Sequence, residues 1–255
     1  MMKSIAIIES EQDTDYNNIA RSYNSSEKDA VTLWRLGYDS LLSTLEPIGD
    51  KSILDYGCGS GTFSRYLSEK KARVTGVDIS ETMIKVAKES QAANIRYYQI
   101  TSGNLDFLKE NTFDFVVSNF VFCTVSTRQE IIKIMKSIRR VLRKNGSFFI
   151  MNTNWDKSNG QEFISFKLQY NKNLISGTPV SSVIKTEPPI TLNDYYWSKE
   201  DYFELLAESG FEIHGISEPL AKGNHIPWIA EKSYPPYQII CSKKFSPKVR
   251  HHGLT

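Results

Sequence analysis

The residues best suited to chemistry in this chain are three glycines and two aspartates around one predicted turn. The segment Ile53–Gly61 reads ILDYGCGSG, with Gly57, Gly59 and Gly61 at alternate positions. Glycines at a strand-to-helix turn let backbone amides approach a ligand closely. Asp78 ends the next predicted strand, where a carboxylate can accept both hydroxyls of a ribose. The pattern therefore predicts a site for a ribose-containing ligand.

Asp55 separates two classes of such ligand. The dinucleotide fingerprint GxGxxG needs a third glycine at position 62, where this chain has Thr62. The chain instead reads DxGxGxG, with Asp55 two residues before the first glycine. A carboxylate at that point would repel a pyrophosphate, but it can accept hydrogen bonds from an ammonium group or from ordered water. A nicotinamide-dependent dehydrogenase is therefore the disfavoured alternative.

The elements that must position these residues alternate between strands and helices. Helices are predicted over residues 29–45, 62–70, 127–144 and 198–209, with a further helix capped by Ser80. The predicted strands are Ser52–Tyr56, Arg73–Asp78, Ile95–Ile100, Phe113–Ser118, Ser147–Asn152, Phe211–Ser217 and Tyr237–Ser242. This alternation predicts an α/β fold with a parallel sheet that is covered on both faces.

Residues 153–196 interrupt the alternation and are rich in aromatic side chains. Aromatic residues with a few polar groups are typical of small-molecule pockets. Trp155, Tyr195 and Trp197 are therefore candidate substrate-binding residues. The alternative is that the aromatic residues of this insertion only cover the sheet.

The combination of segments resembles the class I S-adenosylmethionine-dependent methyltransferases that act on small molecules, over roughly residues 10–245. ILDYGCGSG is similar to the family's first motif, and VTGVDISETMIKVAK to its second. The family's fourth strand and the loop after it are similar to FDFVVSNFVF. Its segment of helix, glycine and fifth strand is similar to VLRKNGSFFI, and its late helix is similar to YWSKEDYFELLAESGF. The resemblance implies a doubly wound, seven-stranded, mostly parallel sheet with an antiparallel final strand. It also implies a single domain over residues 1–255, with an N-terminal helical lid at 1–46 and a substrate-side insertion at 153–196.

The resemblance implies S-adenosyl-L-methionine as cofactor and a set of contacts to it. Asp78 would bind the ribose hydroxyls, and Asn119 and Phe120 would lie near the sulfonium. Ser102 and Asn104 follow the third strand, where the family often has an acid that accepts from the adenine. The full set of expected cofactor contacts is Tyr16, Tyr23, Arg35, Asp55, Gly57, Cys58, Gly59, Asp78, Ile79, Met83, Ser102, Asn104, Asn119 and Phe120.

The expected reaction is methyl transfer to an oxygen or nitrogen atom of a small acceptor, with a role in secondary metabolism. Because a hydroxyl acceptor benefits from a general base, His225 in the segment KGNHIPW is the candidate base. Two alternatives use the same fold. One is a nonmethylating enzyme that uses the bound cofactor in a cyclisation or rearrangement. The other is a noncatalytic cofactor-binding subunit.

Composition limits the partners that the chain is expected to have. The 31 basic and 29 acidic side chains leave a net charge of +2, which favours neither nucleic acid nor a membrane surface as partner. A basic run between residues 133 and 144 lies opposite an apolar helical stripe, so a solvated face is favoured over an RNA site. The three cysteines have no metal-ligand spacing, and no metal is expected. We expect a cytoplasmic monomer or homodimer, without a signal peptide or membrane span.

Overall fold

A computed structural model describes residues 14–245. The first thirteen residues of the predicted lid and residues 246–255 lie outside this range. The described chain forms helices α1 (Tyr16–Asp29), α2 (Asp39–Leu45), α3 (Thr62–Glu69), α4 (Glu81–Glu89), α5 (Arg128–Val141), α6 (Trp155–Ser158) and α7 (Lys199–Glu208). Its strands are β1 (Ser52–Tyr56), β2 (Arg73–Asp78), β3 (Ile95–Gln99), β4 (Phe113–Asn119), β5 (Leu142–Thr153), β6 (Phe166–Leu168), β7 (Pro179–Ile184), β8 (Ile190–Tyr195), β9 (Phe211–Ser217) and β10 (Tyr237–Lys244).

Seven of the strands form one sheet in the order β3-β2-β1-β4-β5-β10-β9. The first five pair in parallel, and β10 runs antiparallel to both β5 and β9. The predicted α/β fold with an antiparallel last strand is therefore confirmed. The strand order reverses between β1 and β4, which is the point where doubly wound sheets bind their ligands.

Two apolar cores cover the faces of this sheet. On one face, α5 and α7 bury Ile134, Ile138 and Tyr202 against the strands. On the other face, Leu41 from α2 and Leu67 from α3 join the core together with apolar residues of the insertion. Because both faces are buried, the central strand β4 carries a mostly apolar run, FDFVVS.

Two of the predicted helices differ notably from the structure. The helix predicted over residues 127–144 ends at Val141, because Leu142 already pairs with Phe113 of β4. Within the helix predicted over 29–45, residues Leu33–Tyr38 form a π-helical segment. Such segments are frequent at functional sites, and Leu33 and Tyr38 at its two ends line the two cavities described below.

The insertion is more regular than its sequence predicted. Strands β6, β7 and β8 form a separate antiparallel sheet. Residues alternate along β8, so that Ile190, Leu192 and Asp194 are buried while Thr191 is exposed. The Thr14 hydroxyl donates a hydrogen bond to the carbonyl oxygen of Asn193 at 3.2 Å and accepts one from the Asn193 amide at 2.7 Å. These two bonds link the N-terminal segment to this strand.

Three arginines between residues 133 and 144 make contacts within the protein. The guanidinium of Arg139 donates to the carbonyl oxygen of Gly210 at 3.1 Å, and that of Arg140 to Leu105 at 2.6 Å. Arg143 pairs with Asp114 at 2.6 Å. These contacts therefore tie the end of α5 and the start of β5 to neighbouring segments. Within residues 14–245, no helix is long and apolar enough to span a membrane.

Candidate functional site

A cleft of about 350 Å³ opens at the carboxyl ends of β1, β2 and β4, where the strand order reverses. It lies between this sheet edge and α1, which contributes Tyr16 and Tyr23. The rings of these two tyrosines meet edge to face at 5.7 Å, so they share one face of the helix. The predicted cofactor residues that line the cleft are Tyr16, Tyr23, Asp55, Gly57, Cys58, Gly59, Asp78, Ile79, Met83, Ser102, Asn119 and Phe120.

The glycine turn forms the floor of the cleft and is tightly constrained. Gly57 has φ +76°, and a Cβ built there would lie 2.0 Å from Cγ2 of Val121. Its amide donates to the carbonyl oxygen of Val77 at 2.8 Å, which fixes the turn against β2. Gly59 has φ +51°, and no heavy atom lies within 4 Å of a Cβ built there. The first glycine is therefore required by packing and the second leaves open space on the ligand side.

Asp78 is held at the end of β2 by two backbone amides. Its Oδ2 accepts from Gly59 and its Oδ1 from Ser80, both at 2.8 Å. Burial raises the pKa of this carboxyl, while the amides of Ser80 and Gly59 act in the opposite direction. Because a carboxylate oxygen has more than one acceptor site, each can still accept from one hydroxyl. This geometry fits a ribose.

The end of β4 supplies a second polar group to the cleft. The Oδ1 atom of Asn119 is buried and has no hydrogen-bond partner within the described chain. A buried acceptor left unpaired costs about 1–3 kcal/mol, so this atom is suited to a donor from a bound ligand. Asp55 nearby is 1% exposed and accepts from the Ser64 hydroxyl at 2.6 Å. The ammonium and ribose of S-adenosylmethionine fit this acceptor-rich cleft, whereas a pyrophosphate does not.

The remaining polar candidates are not brought to the cleft. Arg35 is exposed and pairs with Asp39 at 3.4 Å, because its helix turns it away from the sheet edge. Asn104 is exposed, and its side chain accepts from the amide of Asp106 at 3.1 Å in a local turn. His225 is exposed in the loop between β9 and β10 and lines neither cavity. The structure therefore supports neither of the first two as cofactor contacts and does not support His225 as a base.

The three aromatic candidates of the insertion also point elsewhere. Trp155 is 5% exposed and belongs to the core on the α2 and α3 side. Trp197 packs against the α5 side, where its Nε1 donates to the carbonyl oxygen of Val125 at 2.9 Å. Tyr195 packs against the same core. None of the three lines a described cavity, so the alternative that they cover the sheet is the one that the structure supports.

A second, smaller cavity of about 80 Å³ adjoins the cleft, and sequence analysis missed its lining. Tyr16, Tyr23 and Phe120 line both spaces. The other side is mostly apolar and consists of Ala30, Leu33, Thr153, Ser165, Phe166, Ser182, Ile184, Leu192, Asp194 and Tyr237. The insertion thus contributes to a pocket, although through different residues from those predicted.

Asp194 is the only acid that lines this smaller cavity among residues 14–245. It is 9% exposed, and its Oδ1 has no hydrogen-bond partner. Burial raises its pKa to about 7, and the thiol of Cys123 opposes that shift only in part. The alternation in ITLNDY, with Asp194 in phase with Ile190 and Leu192, was the signal that could have identified it.

Comparison with known proteins agrees with this geometry. A family described as "Methyltransferase domain" matches residues 54–150, from β1 into β5. N-demethylindolmycin N-methyltransferase of Streptomyces griseus is 30% identical over 208 residues, covering 78% of this chain and 87% of that protein. Malonyl-[acyl-carrier protein] O-methyltransferase of Pseudescherichia vulneris is 33% identical over 132 residues, covering 52% of this chain and 49% of that protein.

Solved structures share the fold. The S-adenosylmethionine-dependent methyltransferase of Mesorhizobium loti superposes with a TM-score of 0.63 at 19% identity. The superposition covers 84% of this chain and 99% of that one. At this identity the likeness concerns the arrangement of the elements.

Proposed function

Because the chain belongs to the S-adenosylmethionine-dependent methyltransferase family, we propose that it methylates an oxygen or nitrogen atom of a small acceptor held in the smaller cavity. The observation that carries this proposal is the shared wall between the two spaces. Phe120, which the family resemblance places near the sulfonium, lines both of them. An acceptor in the smaller cavity would therefore meet the cofactor at the end that carries the methyl group.

Each part of the cofactor has matching residues in the cleft. Asp78 would hold the ribose hydroxyls, with the exposed side chain of Ile79 against the adenine. The unpaired Oδ1 of Asn119 and the carboxylate of Asp55 would accept from the amino group and from ordered water. When bound, S-adenosylmethionine supplies a methyl group on a positively charged sulfur atom, which is already an activated electrophile.

The work left to the protein is to align the acceptor and to exclude water. Tyr16 and Tyr23 on α1 cover the junction between the two spaces. Apolar side chains such as Phe166 and Leu192 line the far side of the smaller cavity. This lining favours an acceptor with an apolar body and a single polar atom directed at the junction.

The name N-demethylindolmycin N-methyltransferase supports a small acceptor, and the names of the two relatives leave the nucleophile of the acceptor open. One relative is an N-methyltransferase and the other an O-methyltransferase. The match to the N-methyltransferase spans most of both chains, so a nitrogen acceptor is included in the proposal. A role in secondary metabolism stays a prediction.

A calorimetric titration with S-adenosylmethionine, S-adenosylhomocysteine and NADH tests the cofactor site directly. We expect binding of the first two and none of the third. Release of S-adenosylhomocysteine in the presence of candidate acceptors then tests methyl transfer. Cofactor binding without release for any acceptor would favour the nonmethylating or noncatalytic alternatives.

The assignment of the smaller cavity is tested by filling it. Leu192→Phe adds bulk to a residue that lines it, and Thr191→Phe places the same phenyl side chain on the exposed face of β8. We expect Leu192→Phe to raise the KM of the acceptor while the affinity for S-adenosylhomocysteine stays unchanged. Thr191→Phe should change neither value. Equal effects of the two variants would place the acceptor elsewhere.

A further inference from the structure

Asp194 combines three properties that no structural role explains. Its carboxyl is buried, its Oδ1 is unpartnered, and it lines a cavity that adjoins the cofactor cleft. An isolated buried carboxylate is unfavourable unless a cation or several hydrogen bonds compensate it. Among residues 14–245, no basic side chain contributes to the pKa of this carboxyl. Such a carboxyl either retains its proton or is compensated by a cationic group of a bound ligand.

The groups around Asp194 do not supply a positive charge. Tyr16 of α1, Cys123 after β4 and Tyr202 of α7 interact with it electrostatically. Burial raises the pKa of each of these three groups well above its usual value, so all remain neutral near physiological pH. The sulfhydryl of Cys123 donates to the carbonyl oxygen of Phe120 at 3.1 Å and is also a hydrogen-bond partner of the Asp194 carboxyl. The ionised form of Asp194 would therefore give this cavity a negative charge in otherwise neutral surroundings.

Resting on the proposed function, we propose that Asp194 recognises the acceptor. The acceptor is a primary or secondary amine that enters the smaller cavity as an ammonium ion and gives a proton to this carboxylate. The carboxylate is a catalytic residue in the strict sense, because it touches the reacting nitrogen. A carboxyl whose pKa burial raises to about 7 accepts a proton more readily than an ordinary aspartate.

The reaction balances with the groups named. The ammonium ion transfers one proton to Asp194 and becomes a neutral amine with a lone pair. That pair forms the new nitrogen–carbon bond while the carbon–sulfur bond breaks, and the electrons of the broken bond stay on sulfur. The products are a methylated ammonium ion and neutral S-adenosylhomocysteine. The proton on Asp194 then passes to solvent and restores the carboxylate.

The test measures binding rather than turnover. The enzyme is saturated with S-adenosylhomocysteine and titrated by calorimetry with matched probes: phenethylamine against phenethyl alcohol, and benzylamine against benzyl alcohol. At about pH 8 we expect each amine to bind about tenfold or more tightly than its alcohol, as for a charge-assisted hydrogen bond. At about pH 5.5 that preference should fall about tenfold, because the carboxyl is protonated.

Asp194→Asn should abolish the preference for amines while S-adenosylhomocysteine binding remains. Asp106→Asn is the matched control, since the Asp106 side chain is 91% exposed and its nearest ion pair is at 3.9 Å. The pH comparison uses the unmodified enzyme, so it holds even where a variant fails to fold. Equal binding of amines and alcohols, or binding of none of the four probes, overturns the proposal. A failure of S-adenosylhomocysteine itself to bind would overturn the proposed function and this inference with it.

Discussion

Replacing Asp194 by Asn should make the protein more stable, and increasingly so as the pH rises. Burial raises the pKa of this carboxyl from 3.8 to about 7. Between these values the folded protein retains a proton that the unfolded chain has already released. The free energy of unfolding of the unmodified protein must therefore fall as the pH rises through this window. Asparagine has the same shape and no titration, so the variant lacks this loss.

The magnitude follows from the width of the window. Each pH unit over which the folded state holds the extra proton lowers stability by about 1.4 kcal/mol, so the whole window amounts to roughly 4 kcal/mol. Part of the window between the two pKa values lies below pH 5. Between pH 5 and pH 8 the stability advantage of Asp194→Asn should therefore grow by roughly 3 kcal/mol.

Urea denaturation of the unmodified protein and of Asp194→Asn at several pH values measures this difference in stability. The contributions of all other titratable groups are common to the two proteins and cancel in the difference. Asp106→Asn serves as control for the substitution itself, since the Asp106 side chain is 91% exposed. A constant difference for Asp194→Asn would refute the reasoning. It would mean that the carboxyl ionises as an ordinary exposed aspartate, through water or a cation that enters the cavity.

Three further predictions concern residues that the sequence suggested for the site. Asp78→Ala should weaken binding of S-adenosylhomocysteine by roughly 1.5–3 kcal/mol in calorimetry, the range for hydrogen bonds to a charged group, and unchanged affinity would contradict the ribose assignment. Gly57→Ala should lower Tm far more than Gly59→Ala. Both residues have a positive φ, but only a Cβ at Gly57 would meet Val121, at 2.0 Å. Similar Tm values for the two variants would show that the turn relaxes freely. His225→Ala should leave methyl release and cofactor affinity unchanged, since the side chain is exposed and lines neither cavity, and a large loss of rate would return it to the mechanism.

Local patterns account for most of the fold that was predicted. The strands at 73–78 and 211–217 have the predicted bounds, because apolar runs and alternation depend on neighbours along the chain. The boundary of α5 could not be obtained in this way. It depends on the pairing of Leu142 with Phe113, two residues far apart in the sequence.

The cofactor half of the site was also determined locally. Gly57 and Asp78 belong to strand-to-helix turns, and parallel strands bring such turns to the same edge of the sheet. Their types and spacing therefore predict both the ligand class and its place. Arg35 and Asn104 were predicted by position alone, and the directions of their side chains depend on packing that position does not encode.

The acceptor half was decided only by the tertiary structure. Aromatic composition suggested Trp155 and Trp197, but these side chains are large and apolar, and the cores on the two faces of the sheet bury them. Asp194 carries a charge and resembled a surface residue in the sequence. Only the packing of β8 beside Cys123 and Tyr16 removes it from water, and this burial gives an ordinary aspartate its raised pKa and its place in the proposed reaction.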